Sequence, residues 1–204
     1  MSTVIEKKTL EPVSTQTPEP ARQTPPAPNV RREITGDMIC LITFDRPDFA
    51  ANVFDRKTLE ELGEHLGFIE THSNLRGLVL SSAKDNIFIA GADLNSLAKA
   101  KDPAELRDLI ELGQDTFNRL AALKVPTVAA IHGACVGGGY EVTLACDLRV
   151  ATEDKATKIG LPETQLGIIP AWGGSTRLPR LIGLPAALDI ILAGKTVPGR
   201  KAHK

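Results

Sequence analysis

The glycine-rich run at 132–148 combines a possible backbone site for a negatively charged oxygen with a nearby carboxylate side chain. Gly137, Gly138 and Gly139 have no Cβ atoms, so the main chain can bend tightly and a ligand oxygen can approach bare N–H groups. These glycines open an apolar segment typical of a helix, whose first N–H groups lack intrahelical partners and lie at the positive end of its dipole. The run predicts a backbone site for an oxygen that acquires charge, with Glu141 one turn away.

A second loop of small residues occurs at 87–94, where Gly91 is flanked by Ala90 and Ala92. If both loops lie at one end of a sheet, the N–H groups of Ala92 and Gly138 converge on a single oxygen. Two preorganised donors make an oxyanion hole, in which one donor contributes about 2.7–4 kcal/mol of transition-state stabilisation. The alternative is that these glycines only form tight turns. For a lone Gly-Ala-Asp sequence we would prefer the interpretation as a tight turn. Because two such loops occur in this chain, we prefer the oxyanion hole.

Such loops need elements to hold them, and the hydrophobic pattern predicts alternating strands and helices. Short apolar runs predict strands over 38–44, 75–81, 125–131 and 148–151. Helical spacing predicts helices over 56–70, 93–100, 105–123 and 140–145. Repeated strand, loop and helix units imply parallel strands joined by crossovers, with binding loops at their carboxyl ends. The sequence therefore predicts an α/β fold with one core from about residue 37 onward.

Residues 1–32 differ in composition from the rest of the chain. Between Glu11 and Pro28 the sequence is rich in Pro, Thr, Gln and Glu, and such a segment cannot bury enough apolar surface to offset the entropy of ordering. We expect a disordered tail over 1–32, which a linker explains better than a docking arm, followed by a domain over 33–204. The tail has no apolar segment typical of a secretory signal, and its acidic residues argue against a mitochondrial presequence.

Charge and cysteine content exclude several classes of protein. The 204 residues carry a net charge of −1, which provides no basic stripe for nucleic acid, and no apolar run approaches the roughly 20 residues of a membrane span. Cys40, Cys135 and Cys146 are odd in number and lack paired metal spacing, which favours reduced, buried thiols and no metal site. We expect a soluble cytoplasmic protein.

The chain resembles the crotonase, or enoyl-CoA hydratase/isomerase, family. The signature match covers 128–148, and further matches follow the family's order at 89–94, 160–163, 166–170 and 173–178. The resemblance implies the crotonase-like ββα superhelix, of which residues 33–204 would form the first two-thirds, so that the fold would be C-terminally incomplete. Within the family, the sequence is most similar to the N-terminal hydratase part of multifunctional fatty-acid-oxidation alpha subunits.

The resemblance also assigns roles to residues. It implies that the N–H groups of Ala92 and Gly138 hold a thioester oxygen, and that Glu141 and Glu163 are the two catalytic glutamates. We interpret Glu141 as the group that orients and deprotonates water and Glu163 as the proton donor to Cα, although the roles could be shared or reversed. Without the motifs, Glu141 would be explained equally well as a favourable charge at a helix N-terminus.

Five further residues are predicted to bind substrate: Ala90, Gly91, Asp93, Leu94 and Trp172. Simple packing explains Trp172 at least as well, and Asp93 is expected first to fix its loop or cap the next helix, with substrate contact second. A nucleophilic pair of His132 and Cys135 is disfavoured.

The resemblance implies an enzyme of fatty acid β-oxidation that adds water to trans-2-enoyl-CoA to give 3-hydroxyacyl-CoA, with Δ3-to-Δ2 isomerisation as a side activity. It implies acyl-CoA as substrate, no cofactor, and a homo-oligomer or a complex with a thiolase subunit in the full-length protein. The dinucleotide-binding loop of a 3-hydroxyacyl-CoA dehydrogenase is absent from these residues, so NAD binding is not predicted. The alternative is a non-catalytic acyl-CoA-binding or incompletely folded fragment, and a hydrolase or dehalogenase is a weaker third hypothesis.

Overall fold

The computed structural model describes residues 27–47, 49–99 and 102–202. Nine strands occur in this part of the chain: β1 Val30–Ile34, β2 Ile39–Phe44, β3 Gly77–Ser82, β4 Ile87–Ile89, β5 Thr127–Ile131, β6 Ala134–Val136, β7 Leu148–Ala151, β8 Lys158–Gly160 and β9 Thr196–Pro198. Its helices are α1 Arg56–Thr71, α2 Leu94–Lys99, α3 Pro103–Ala121, α4 Gly138–Leu144, α5 Gly174–Ile182, α6 Leu184–Ala193 and α7 Gly199–Ala202, and a 3-10 turn covers Glu163–Leu166. The α/β class is confirmed.

A five-stranded sheet, which we call the large sheet, contains all four predicted strands. Its order is β1-β2-β3-β5-β7, and every neighbouring pair except β1 and β2 is parallel. The side chains of β2 alternate, so that Cys40, Ile42 and Phe44 are buried on one face. Apolar residues of α1 spaced three and four apart are buried as well, as the helical periodicity predicts. These predictions are confirmed because the apolar period and the buried face coincide.

The predicted tail ends too late. Val30 is only 1% exposed and begins β1, which pairs with β2. The N–H groups of Asn29 and Val30 both donate to Glu61 Oε2 of α1, at 2.7 and 2.9 Å. Because these long-range contacts satisfy its backbone, the segment 30–32 is a strand, and the prediction of disorder there is wrong. Residues 1–26 lie outside the described part of the chain.

A four-stranded sheet, which we call the small sheet, was missed by sequence analysis. Its order is β4-β6-β8-β9, and each strand has only three residues. Strands β4, β6 and β8 run parallel, and β9 is antiparallel to β8. Three residues are too few to show a hydrophobic period, so pairing with neighbours rather than local pattern defines these strands.

The four predicted helices, α1 to α4, lie within a few residues of their predicted ends, whereas α5, α6 and α7 were not predicted. Asp55 caps α1 by accepting a hydrogen bond from Thr58 N, and Asp102 caps α3 in the same way through Ala104 N. The three cysteines are free thiols and buried, as predicted. Among the described residues, no helix is long and apolar enough to cross a membrane. Helices α5 and α6 expose several large apolar side chains: Leu181, Ile182, Leu184, Leu188 and Leu192.

Candidate active site

The ends of three parallel strands of the small sheet open onto one cavity of about 720 Å³. Strand β4 leads into the loop of Gly91, β6 leads into the glycine triplet, and β8 leads towards Glu163. The cavity lining includes nearly every predicted site residue: Ala90, Gly91, Ala92, Leu94, Gly138, Glu141, Glu163 and Trp172. The carboxyl ends of parallel strands are where binding loops are expected. The condition for an oxyanion hole, that the two glycine loops lie at one end of a sheet, is met.

Two backbone N–H groups are left free by the way their loops are held. Phe54 N donates to Gly91 O and Asp93 N donates to Phe54 O, both at 2.8 Å, so the N–H of Ala92, between them, faces away from Phe54. Gly138 is the first residue of α4, so its N–H has no acceptor within the helix. Within the described residues, neither N–H has an acceptor.

Close approach of the two loops depends on glycine at particular positions. A Cβ placed on Gly91 would lie 3.7 Å from Gly138 N, which shows how near the loops come, and the φ of Gly91 is +101°. A Cβ on Gly139 would lie 2.1 Å from the carbonyl oxygen of Ile89 in β4. Side chains at these positions would therefore push the loops apart.

Glu141 is held in a fixed orientation on the first turns of α4. Its side chain is buried, and Oε1 accepts hydrogen bonds from Trp172 N and Gly174 N, each at 2.8 Å. Burial raises the pKa of Glu141 to about 7, aided by the nearby charge of Glu163 and opposed by the two N–H donors. A carboxyl group with that pKa can accept a proton near neutral pH.

Glu163 begins the 3-10 turn that follows β8. Its carboxyl group is buried, and Oε2 has no hydrogen-bond partner in the described structure. Oε1 lies beside the glycine triplet, because a Cβ on Gly137 would be 3.2 Å from it. Burial raises the pKa of Glu163, which favours the neutral acid as a proton donor. The fold therefore brings both predicted glutamates to one cavity with raised pKa values.

Trp172 both packs in the core and lines the cavity, so its packing role and its predicted place beside the substrate are compatible. It is 4% exposed, and its ring makes edge-on contacts with Phe54 and Phe117 at centroid distances of 5.8 and 5.7 Å. The indole lies against two glycines, since a Cβ on Gly113 or Gly138 would fall within 2.5 Å of it. Its backbone N–H positions Glu141, a role that sequence analysis did not assign.

Asp93 does not line the cavity, which corrects its predicted place among substrate-binding residues. Its Oδ1 accepts from Asn95 N at 3.0 Å at the start of α2, and its Oδ2 pairs with Arg46 at 3.3 Å. The capping role expected first for Asp93 is confirmed. Leu94, the next residue, lines the cavity and is 51% exposed.

His132 and Cys135 do not form a nucleophilic pair. His132 Nε2 lies 2.6 Å from Lys84 O. Cys135 is fully buried, its thiol contacts the carbonyl oxygen of Gly139, and burial raises the pKa of that thiol. A raised pKa keeps the sulfur protonated and unreactive.

Asn52, which was not predicted to matter, supports the Ala92 loop. Asn52 is 2% exposed, and its amide nitrogen donates to Phe44 O and Phe88 O at 3.0 and 3.2 Å. Its backbone carbonyl oxygen accepts from Ala90 N at 2.9 Å. The available signal was an amide side chain amid apolar neighbours, because such a group is buried only where its hydrogen bonds are satisfied.

Comparison with known proteins places this site in a family. A family model described as "Enoyl-CoA hydratase/isomerase" matches residues 35–204. The chain belongs to the enoyl-CoA hydratase/isomerase family. Solved structures agree: the enoyl-CoA hydratase of Bacillus anthracis has a TM-score of 0.80 at 36% identity, covering 85% of this chain and 66% of that one. The enoyl-CoA hydratase of Thermoplasma volcanium GSS1 has a TM-score of 0.79 at 30% identity, covering 87% and 68%. The predicted crotonase-like fold is confirmed.

Curated family members of similar sequence are longer proteins. The fatty acid oxidation complex subunit alpha of Shewanella sp. (strain W3-18-1) is 45% identical over 168 residues, which are 82% of this chain and 24% of the relative. The protein of the same name from Aliivibrio fischeri is 46% identical over 169 residues, 82% of this chain and 25% of the relative. The chain therefore spans about a quarter of the length of these curated relatives.

Proposed function

We propose that the chain is an enoyl-CoA hydratase that adds water to trans-2-enoyl-CoA to give 3-hydroxyacyl-CoA in fatty acid β-oxidation. One observation carries the proposal: two buried carboxyl groups, Glu141 and Glu163, line the same cavity as the free N–H groups of Ala92 and Gly138. The family and the names of its solved members support this reaction.

The two N–H groups would act on the thioester carbonyl. Hydrogen bonds from Ala92 and Gly138 to the carbonyl oxygen withdraw electrons from the conjugated double bond, so that Cβ becomes open to attack by water. They also stabilise the enolate oxygen that forms after the attack, when they are stronger than in the ground state. The N–H groups are fixed by the fold, so they need no reorganisation during the reaction.

The two carboxyl groups would divide the proton transfers. The oxygen of water bonds to Cβ while its proton passes to the Glu141 carboxylate, and the π electrons move onto the thioester oxygen. When the carbonyl forms again, Cα takes the proton of the neutral Glu163. Glu141 is then protonated and Glu163 ionised, and exchange with solvent restores both.

The surroundings of each carboxyl group support this division of roles. Glu141 Oε1 accepts two N–H hydrogen bonds, which favour the carboxylate and leave Oε2 for water. The buried Oε2 of Glu163 accepts none within the described residues, which favours the protonated form. The opposite assignment would place the charge on a carboxyl group whose buried Oε2 accepts no hydrogen bond from the described residues.

These four groups account for every proton and charge of the hydration, so we propose that the reaction uses no metal or redox cofactor and that acyl-CoA is the substrate. The name of the Shewanella relative, a subunit of a fatty acid oxidation complex, supports a place for this chain in a larger assembly. We propose that the full-length protein is a homo-oligomer or forms a complex with a thiolase subunit. The buried free thiols support a cytoplasmic location.

The test is hydration of crotonyl-CoA by the purified chain, followed as loss of the absorbance of the enoyl thioester. Glu141→Gln and Glu163→Gln should each lower kcat by about 100- to 10,000-fold, the usual contribution of a general acid or base. Gln is nearly isosteric with Glu, so packing is retained. Glu64→Gln on the exposed side of α1 is the matched control and should leave kcat unchanged.

Two results would overturn the proposal. Turnover unaffected by either glutamine substitution would rule out the acid–base mechanism. Binding of crotonyl-CoA without any turnover would instead support a non-catalytic acyl-CoA-binding chain. Conversion of a 3-enoyl-CoA, assayed in parallel, measures the isomerase side activity that the same hole and one glutamate would allow.

A further inference from the structure

One guanidinium group links two carboxylates next to the Phe54–Ala92 bridge, which carries one donor of the candidate oxyanion hole. The side chain of Arg46 is 15% exposed and contacts two carboxylates, Asp55 Oδ2 at 3.2 Å and Asp93 Oδ2 at 3.3 Å. These carboxylates are 18% and 14% exposed. Arg46 does not line the cavity, so substrate contact does not explain this arrangement.

Each carboxylate divides its oxygens between a helix and Arg46. Asp55 Oδ1 accepts from Thr58 N at the start of α1, and Asp93 Oδ1 accepts from Asn95 N at the start of α2. The other oxygen of each group contacts the guanidinium. Arg46 therefore joins the first turns of two helices, and a planar fork of N–H donors can hold two carboxylates in a way that a lysine cannot.

The same two aspartates are next in the chain to the two residues of one backbone bridge. Asp55 follows Phe54, and Asp93 follows Ala92, where Phe54 and Ala92 form an isolated parallel bridge. Two hydrogen bonds alone fix this bridge, from Phe54 N to Gly91 O and from Asp93 N to Phe54 O. Such a short ladder resists twisting poorly. The ion pairs of Arg46 with Asp55 and Asp93 add a second link, between the residues that follow Phe54 and Ala92.

Arg46 is itself anchored. Its N–H donates to Asn52 Oδ1 at 2.9 Å, and its carbonyl oxygen accepts from Lys84 Nζ at 2.7 Å. The ring of Phe49 lies 4.1 Å from the guanidinium carbon. Burial alone would raise the pKa of Asp93, but the N–H of Asn95 and the Arg46 guanidinium hold it below its usual value, so the carboxylate stays charged.

We propose that Arg46 is a positioning residue for the oxyanion hole: it braces Asp93 against Asp55 and thereby aims the N–H of Ala92 at the thioester oxygen. The proposal rests on the hydratase function proposed above. Loss of the brace should lower kcat more than it changes KM, because a misaimed donor weakens binding of the transition state more than binding of the substrate.

The experiment compares Arg46→Met and Arg46→Lys with the wild-type chain. Hydration of crotonyl-CoA should show a kcat lowered about 10- to 100-fold in Arg46→Met, short of the loss of a donor, with KM changed less than about threefold. Arg46→Lys keeps the positive charge, so its kcat should lie between those of Arg46→Met and the wild-type chain. Arg119→Met is the matched control: it removes two hydrogen bonds to Glu70, at 3.0 and 2.9 Å, neither residue lines the cavity, and kcat should be unchanged.

A spectroscopic measurement separates positioning from general damage. The absorption of a conjugated dienoyl-CoA moves to longer wavelength when its carbonyl is polarised, so the size of the shift on binding reports the oxyanion hole directly. The shift should be reduced in Arg46→Met and partly restored in Arg46→Lys. If Arg46→Met does not fold, Arg46→Lys alone decides the question.

The outcomes are distinct for the two proposals. A wild-type kcat and a wild-type shift in folded Arg46→Met or Arg46→Lys would overturn the role of Arg46 and leave the hydratase function intact. A wild-type chain that shifts the dienoyl band without hydrating crotonyl-CoA would overturn the hydratase function, and the role of Arg46 would still be read from the shift. A chain that gives neither signal would overturn both.

Discussion

The two sheets of this protein differ in what they contribute. The large sheet has strands of four to six residues, and one face of it is buried in the apolar core. The small sheet has strands of three residues, too short to bury much surface, yet the carboxyl ends of β4, β6 and β8 carry Ala92, Gly138 and Glu163. The comparison indicates that folding energy and chemical positioning reside largely in different sheets.

Substitution of Gly139 should produce the largest effect, on activity. In Gly139→Ala the added Cβ would lie 2.1 Å from Ile89 O, so β4 and the Ala92 loop must move away from α4. We expect kcat for crotonyl-CoA to fall about 1000-fold, as when an oxyanion-hole donor is removed. Alanine stabilises a helix by about 1 kcal/mol relative to glycine, so helix propensity would not explain a loss of activity in this variant.

Gly36→Ala is the matched control for that substitution. A Cβ on Gly36 meets nothing within 4 Å, so activity and stability should stay close to those of the wild type. Equal activity of the two glycine variants would contradict the view that the small sheet sets the geometry of the site.

Substitution in the large sheet should have the reverse effect, a loss of stability without loss of chemistry. Leu80 of β3 is fully buried, and Leu80→Ala should lower the free energy of unfolding by about 2–5 kcal/mol through lost transfer energy and a cavity. Urea denaturation measures the stability, and kcat is measured on the folded fraction. A kcat lowered by more than about threefold there would show that the two sheets are not independent.

Ionisation of Glu141 is expected to change the free energy of unfolding by about 3 kcal/mol or less. Its pKa is raised from 4.5 to about 7 on folding, so its stabilising contribution is complete below pH 4.5 and is lost as the pH rises through 7. The stability of Glu141→Gln relative to the wild type should therefore increase by about 3 kcal/mol between pH 4.5 and pH 8.5. Urea denaturation at both values tests this, and a constant difference would show that the site does not cost folding energy.

Sequence patterns predicted the large sheet well because its strands are long enough to carry a period. Cys40, Ile42 and Phe44 alternate in β2, and β5 is apolar after its first residue, Thr127. The same reasoning could not find β1, whose middle residues Arg31 and Arg32 are exposed and whose pairing partner supplies the missing information. Nor could it find strands of three residues.

The site was predicted from motifs, and the structure adds the contacts that orient its groups. The motifs named Glu141 and Glu163, and the fold places both at one cavity. They did not indicate that Trp172 N and Gly174 N hold Glu141, or that Arg46 pairs with Asp93, because these partners are distant in sequence. They also placed Asp93 beside the substrate, whereas its carboxylate faces Arg46.

The sequence alone determined the types of groups and the local shapes that expose them. Glycines at 91 and 137–139 permit close backbone approach wherever they are placed, and a helix start leaves N–H groups free in any fold. Only the tertiary structure decided that Ala92 and Gly138 lie at neighbouring strand ends and that burial raises the pKa of Glu141 to about 7. Strand order and burial depend on pairing and packing between distant segments, which a local pattern does not contain.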